Sequence, residues 1–280
     1  MFILEILKVI FLGIVEGITE WLPISSTGHM ILVDEFIKLN VSAEFKEMFF
    51  VVIQLGAIAA VPVLFWEKLW PFSKKKSIEQ RKATYNLWGK VIAGVLPAAV
   101  LGFLFDDLLD EHLYNFIVVE IALAVYGVLF IIVEKNRAEK NFRVENVDSL
   151  TYTDALKIGA FQVLSLIPGT SRSGSTILGG MLTGVSRSAA AEFSFFMAIP
   201  IMLGASGLKL LKFILEGVTA SGEEIALLFI GIVVSFAVSL FVIKFLMDFV
   251  KRHDFSAFGI YRIVLGALVI VYFLIKTLIV

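Results

Sequence analysis

Gly13-Ile-Val-Glu-Gly-Ile-Thr-Glu-Trp-Leu-Pro-Ile-Ser-Ser-Thr-Gly-His29 and Gly159-Ala-Phe-Gln-Val-Leu-Ser-Leu-Ile-Pro-Gly-Thr-Ser-Arg-Ser-Gly-Ser-Thr176 are the two stretches on which the reading of this chain turns. Each interrupts an apolar segment, 1–37 and 153–185, with Pro, Gly and a cluster of hydroxyl side chains. The composition around them fixes what such a break means. The 280 residues are 59% hydrophobic and 18% charged, with a mean hydropathy of +0.92, whereas soluble domains run about 45–50% apolar and about 25% charged. A polar, proline-broken loop at membrane depth survives only where protein or a watery cavity encloses it. Both segments are therefore read as helix–loop–helix hairpins that enter a membrane and turn back.

A membrane helix needs about 20 mostly apolar residues. Six further stretches qualify, near 46–65, 88–105, 113–133, 189–212, 225–247 and 257–279. The expected fold is all-α and polytopic, with six transmembrane helices plus two re-entrant hairpins. Lys and Arg mark cytoplasmic loops. Lys68, Lys74, Lys75, Lys76, Arg81, Lys82 and Lys90 outweigh Glu67 and Glu79, so 68–90 is assigned inside. The acidic connection Asp106-Asp-Leu-Leu-Asp-Glu-His112 is assigned outside, and 134–150 and Lys251-Arg252-His253 inside. The hairpin at 1–37 then enters from the outer side and that at 153–185 from the inner side. Trp66 and Trp70 read as interfacial anchors. Glu5 and Glu16 interrupt the first apolar run and no small-residue cleavage site follows, so it is not read as a cleaved signal.

The two opening stretches resemble each other at an offset of about 146 residues, with one residue of slip. Both carry Pro-x-x-Ser at the break, and a Phe-rich span follows each (Phe49-Phe50; Phe193, Phe195-Phe196). Three spans separate them, an odd number, which inverts the second relative to the first. This is the plan in which paired broken helices of inverted repeats meet near the midplane and build a site. The expected organisation is one membrane domain over 1–280: repeat one about 1–134, repeat two about 151–280, and a cytoplasmic linker about 135–150. Gly13 and Gly17 form a small-x-x-x-small pair suited to close helix packing. Gln162 stands where Glu16 stands in the first repeat.

The residue inventory narrows the chemistry. Twenty-four basic against 25 acidic residues leave a net charge of −1 and no basic field for nucleic acid. The absence of Cys excludes disulfides, thiolate metal sites and thiol nucleophiles. Glu16 and Glu20, four residues apart, share one helix face. Two carboxylates inside an apolar segment are tolerable if they share a proton or hold a cation such as Mg²⁺ or Ca²⁺. His29 follows Ser26 by three residues beside Ser25 and Thr27, and imidazole beside hydroxyl is the minimum for activating a nucleophile or moving a proton. His112 and His253 read as solvated loop residues.

Arg172 lies in a segment apolar on both sides and needs an anionic partner; guanidinium suits bidentate phosphate contact. Ser171, Ser173, Ser175 and Thr176, at the start of the following helix, complete an anion cradle. The Gly-x-x-x-x-Gly-Ser spacing superficially resembles a P-loop, but the Lys such a loop requires is absent, so nucleotide hydrolysis is rejected. Ser186-Arg187-Ser188 reads as a helix cap. Two carboxylates, one His, several hydroxyls and one Arg, converging in a membrane, support hydrolysis of a lipid diphosphate or carriage of a lipid phosphate.

At these residues the chain resembles the undecaprenyl-diphosphate phosphatase family, also called the bacitracin-resistance family, over nearly its whole length. The family's acidic motif, Glu or Gln then Glu four residues on, falls on Glu16 and Glu20. Its Pro-Gly-x-Ser-Arg-Ser-x-x-Thr motif matches Pro168, Gly169, Ser171, Arg172, Ser173 and Thr176. The resemblance implies a multi-pass bacterial inner-membrane enzyme that converts undecaprenyl diphosphate to undecaprenyl phosphate. It further implies carrier-lipid recycling for cell-wall synthesis, bacitracin resistance, a divalent-metal requirement and an active site facing the outside.

The expected site therefore has Arg172 with Ser25, Thr27, Ser171, Ser173 and Thr176 on the diphosphate, and a Mg²⁺ or Ca²⁺ ion near Glu16 and Glu20. Ser26 is the expected nucleophile, with His29 or Glu20 taking its proton. A water-only route and His29 as nucleophile stay open, as does a homodimer. The competing function is an inverted-repeat translocase for undecaprenyl phosphate, which breaks no bond and needs no nucleophile.

Overall fold

The structure is a computed structural model describing residues 2–113, 116–137 and 142–279; among these the chain is helical, with an isolated β-bridge between Val144 and Val185 in place of any strand. The first break separates α1 (Phe2–Thr19) from α2 (Ser26–Phe36). α3 (Ala43–Val52), capped by the Ser42 hydroxyl on the Phe45 N–H, runs on through Ile53 into α4 (Gln54–Leu64), and the four-residue α5 (Trp66–Leu69) follows. α6 (Ile78–Leu113) and α7 (Phe116–Arg137) come next. α8 (Tyr152–Val163) and α9 (Arg172–Leu182) flank the second break, and α10 (Arg187–Leu215), α11 (Gly222–Arg252) and α12 (Ser256–Ile279) complete the chain.

Five of the six expected spans are helices long and apolar enough to cross a membrane: 43–64, 78–105, 117–136, 187–215 and 222–252. The sixth, 257–279, falls on α12, whose described apolar part covers 256–272. Two boundaries need correction. Helix α6 begins at Ile78, ahead of the span expected near 88–105, so Arg81 and Lys82 stand on a helix and not in a loop. The same helix runs through the connection expected at 106–112. Its Leu and Glu residues are good helix formers and no Gly or Pro interrupts them, so acidity alone does not end the helix. Of the linker expected at 135–150, residues 138–141 lie outside the described residues. Its second half is docked: Arg143 donates its N–H to the Gly184 carbonyl (2.9 Å), and Ser186 donates its N–H to the Val144 carbonyl (2.8 Å).

The chain divides into two compact units, each drawing on both halves of the sequence. The first comprises Met1–Trp21, His29–Trp88 and Phe195–Leu246. Here α11 is the packing post for α1, α3 and α4. A Cβ at Gly13 would lie 3.0 Å from the Gly231 carbonyl oxygen, and one at Gly56 only 2.1 Å from that of Ile232. The backbones approach as closely as small residues permit in membrane bundles. The expected role of Gly13 and Gly17 in close packing holds, and the Ser239 hydroxyl donates to the Gly17 carbonyl at 3.3 Å.

The second unit comprises Leu22–Gly28, Gly89–Ser194 and Met247–Val280. α7 and α12 pack along their length, with a Cβ at Gly127 or Gly259 falling 2.7 Å from the other residue's carbonyl oxygen. α8 and α9 form a hairpin, and α8 meets α6 where a Cβ at Gly159 would lie 2.2 Å from the Gly94 carbonyl oxygen. Glu134, itself buried, takes Arg187 Nε on both oxygens (2.9 and 3.0 Å) and the Phe255 N–H at 2.9 Å. Arg187 is thus a structural partner. The cap reading of Ser186-Arg187-Ser188 holds, the Ser186 hydroxyl accepting the Ala189 N–H at 3.3 Å.

Candidate functional site

The two breaks share one backbone device. Ser25 (φ 73°) and Ser171 (φ 72°) are the non-glycine residues with positive φ among the described residues. Each stands immediately before a helix, α2 or α9, and each hydroxyl accepts the N–H of the glycine three residues on: Gly28 at 3.2 Å, Gly174 at 3.1 Å. Ser hydroxyls satisfy first-turn donors that have no partner within the helix. The left-handed conformation costs an L-residue of order 1–3 kcal/mol and persists only where surroundings enforce it. The helix starts are therefore in register at an offset of 146 residues (Ser25 with Ser171, Gly28 with Gly174), and the slip lies at the prolines, Pro23 and Pro168. Ser26 and Arg172 consequently hold the same position, first residue of the post-break helix.

The second unit brings the two break loops together. The Ser173 hydroxyl donates to the Leu22 carbonyl at 3.2 Å. Arg262, fully buried on α12, donates through Nη1 to the Pro23 carbonyl (3.1 Å) and through Nη2 to that of Gly169 (2.8 Å). It also donates to the carbonyls of Leu123 and Ala122 (both 3.3 Å), and its guanidinium carbon lies 5.4 Å from the Tyr126 ring centroid. Gly169 (φ 90°) has no substitute in this arrangement, since a Cβ there would lie 2.5 Å from the Val119 carbonyl oxygen.

Arg172 opens α9 and donates through Nη1 to the Ser194 carbonyl (2.8 Å) and hydroxyl (3.2 Å). Thr176, one turn on, has its hydroxyl 2.7 Å from that of Ser194 and 2.9 Å from the Arg172 carbonyl. Ser171 and Ser173 hydroxyls lie 3.1 Å apart. The result is a helix N-terminus, which favours anions through its backbone dipole and N–H groups, with a guanidinium held at its first residue.

Glu16, Glu20 and His29 belong to the first unit and are all buried (1%, 6% and 8% exposed). Glu20 continues the helical bonding of α1, its N–H donating to the Glu16 carbonyl at 3.0 Å, so the two carboxylates sit on successive turns of one face. Trp21 closes the end of α1 edge-on against Phe195, ring centroids 5.1 Å apart. Ser25, Ser26 and Thr27 fall in the second unit with Ser171, Arg172, Ser173 and Thr176.

Sequence reasoning missed Arg262 and Ser194. A lone Arg in an apolar span and a Ser set among Phe193, Phe195 and Phe196 were the available signals, since a charge at membrane depth needs a specific partner.

The carboxylate pair also bears on a metal. Among the described residues no three His, Asp or Glu side chains gather in a way that would hold an ion unaided. Two buried carboxylates on one face fit the other common mode. Mg²⁺ is usually bound by one or two carboxylates, with water and substrate phosphates completing its shell.

A model of the family described as bacitracin resistance protein BacA matches residues 9–268, an interval that includes both breaks and every candidate residue. The chain belongs to the BacA family. Its relatives match end to end. The undecaprenyl-diphosphatase of Acetivibrio thermocellus is 61% identical over 271 residues, covering 97% of this chain and 98% of that protein. An undecaprenyl-diphosphatase of Enterococcus faecalis is 60% identical over 269 residues, covering 95% and 96%. That of Desulfitobacterium hafniense is 55% identical over 280 residues, the full length of both. Similarity of this extent leaves no part of the BacA chain without a counterpart in these enzymes.

Proposed function

We infer that this multi-pass membrane protein is an undecaprenyl-diphosphatase, hydrolysing undecaprenyl diphosphate to undecaprenyl phosphate and inorganic phosphate. It thereby recycles the carrier lipid of cell-wall synthesis and opposes bacitracin. One observation carries the reading beyond family membership. A buried arginine, Arg262, ties together two loops, one leading into the Ser26 hydroxyl and the other into the Arg172 guanidinium, each at the first residue of its helix. Carriage of undecaprenyl phosphate alone needs no hydroxyl set beside a phosphate-binding guanidinium.

In the proposed mechanism Arg172, with the hydroxyls of Ser171, Ser173 and Thr176 and the N-terminus of α9, holds the diphosphate; Ser25 and Thr27 bound it from the other loop. The Ser26 hydroxyl oxygen attacks the terminal phosphorus. The bond from that phosphorus to the bridging oxygen breaks, and undecaprenyl phosphate leaves with the bridging electron pair. His29 takes the Ser26 proton. Water then attacks the phosphoserine, giving up a proton to Glu20; the bond from phosphorus to the Ser26 oxygen breaks, that oxygen takes back the proton held on His29, and inorganic phosphate leaves with Ser26 restored. Phosphoryl transfer depends mainly on positioning and charge stabilisation, which suits a site made of a fixed guanidinium and a helix N-terminus. Glu16 and Glu20 would hold a Mg²⁺ or Ca²⁺ ion, which when bound neutralises negative charge on the diphosphate.

The site is proposed to lie in an inverted repeat opening to the outside of the bacterial inner membrane. Two features support this plan. The breaks repeat at one offset, and the packing is exchanged: α1 of the first half rests on α11 of the second, and α8 of the second on α6 of the first. The deciding experiment is phosphate release from undecaprenyl diphosphate by the purified protein in detergent, where no inside or outside exists. A hydrolase releases phosphate, whereas a translocase releases none. Trapping phosphate on Ser26 would support the covalent route, and Ser26→Ala turning over normally would remove it.

A further inference from the structure

Helix α8 carries, one residue before its end, a buried amide that no described residue bonds. Gln162 has 0% of its surface exposed, and neither its side-chain oxygen nor its nitrogen has a hydrogen-bond partner among the described residues. Leaving a buried amide unmatched incurs its full desolvation penalty. A leucine of similar volume would avoid that cost, so stability does not account for the residue.

Its position points to a ligand. α8 and α9 run as an antiparallel hairpin: Phe161 packs on Gly179, and Ile158 Cδ1 lies 3.7 Å from a Cβ at Gly180. One turn toward the break is +4 on α8 and −4 on α9, which sets Gln162 level with Thr176 on the side of α8 that already faces α9. The N-terminus of α9, with Arg172 at its first residue, lies one further turn along. Gln162 also stands at the offset of 146 residues from Glu16, with the charge removed. A carboxylate there would compete with phosphate for Arg172 and repel it, whereas an amide offers N–H donors and no charge.

We propose that Gln162 is a substrate-contacting residue of the diphosphate site, donating its amide N–H groups to a phosphoryl oxygen of the lipid diphosphate. This rests on the reading of the α9 N-terminus as the diphosphate cradle. Gln162 takes no proton and forms no bond to phosphorus; its contribution is to binding.

The test compares Gln162→Leu and Gln162→Glu with the wild-type protein in detergent, measuring melting temperature and the KM and kcat for phosphate release from undecaprenyl diphosphate. The Leu variant is expected to melt higher than wild type while KM rises about ten- to hundredfold, the range of one hydrogen bond to a charged group. The Glu variant, close in size, is expected to lose at least as much at neutral pH and to recover in part as pH falls and its carboxyl becomes a donor. A merely structural glutamine would not produce either the opposed shifts of stability and KM or the pH-dependent rescue. Unchanged KM in both variants, with wild-type turnover intact, overturns the role of Gln162 and leaves the enzyme standing. A wild-type protein that releases no phosphate overturns both. Should the Leu variant not fold, the pH profile of the Glu variant decides alone.

Discussion

Ser25 and Ser171 hold the same left-handed backbone, φ 73° and 72°, and make the same hydroxyl bond to the glycine N–H three residues on. Two cost terms meet at each residue, and substitution separates them. Alanine keeps the strained φ and loses the cap, worth about 1 kcal/mol; glycine also loses the cap but removes the strain. The expected order of melting temperature at either position is wild type, then Gly, then Ala. An Ala variant more stable than its Gly counterpart would contradict it.

Arg262 donates to four backbone carbonyls, those of Pro23, Ala122, Leu123 and Gly169. The Ala122 and Leu123 carbonyls keep their bonds within α7, whereas Arg262→Met orphans the loop carbonyls of Pro23 and Gly169; since each buried unmatched polar group costs about 1–3 kcal/mol, a loss of at least about 2 kcal/mol is expected. Arg262→Lys is expected to fall between the two, because an ammonium lacks the planar fork that spans separate acceptors. Thermal unfolding measures the loss, and phosphate release should fall with it. A Met variant with wild-type melting and rate would contradict the staple.

Helix approach at Gly56 is set by backbone contact. A Cβ there would fall 2.1 Å from the Ile232 carbonyl oxygen, so Gly56→Ala must part α4 from α11 and is expected to cost about 1–3 kcal/mol. At Gly204, on α10, a Cβ meets nothing within 4 Å, and Gly204→Ala is expected to be neutral or to stabilise by up to about 1 kcal/mol. Melting temperatures of the two variants check the contrast.

Asp154, at the head of α8, supplies a pH dependence. Burial would raise its carboxyl, but the hydrogen bond from Arg143 and those from the Thr151 backbone and hydroxyl outweigh burial and hold it below the usual aspartate range. A carboxyl depressed on folding stabilises fully above its unfolded value, and that contribution is lost as pH falls through the folded value. Unfolding followed from pH 7 downward should show this loss below the ordinary aspartate range, near pH 4. Asp154→Asn should remove that part of the dependence.

Much of this was legible in the sequence because the signals are local. Hydropathy gives the spans, and Pro23 and Pro168 inside apolar runs give the breaks. Acidity was a poor guide to the end of α6, since Asp106–His112 contains no residue that stops a helix. Pro-x-x-Ser set the repeat one residue out of register at the helix starts, because proline is the feature most visible in sequence while the positive φ that defines the motif leaves no letter of its own. Arg262 was opaque for a different reason: its partner Pro23 lies 239 residues away. A lone arginine in an apolar helix announces a need without naming what meets it.

The most direct test is the rate of phosphate release from undecaprenyl diphosphate by purified Arg172→Ala and Arg172→Lys proteins in detergent. The predicted result is that Ala abolishes turnover and that Lys, lacking the bidentate fork, stays at least about tenfold below wild type. An Arg172→Lys enzyme working at the wild-type rate would contradict a diphosphate held by that guanidinium.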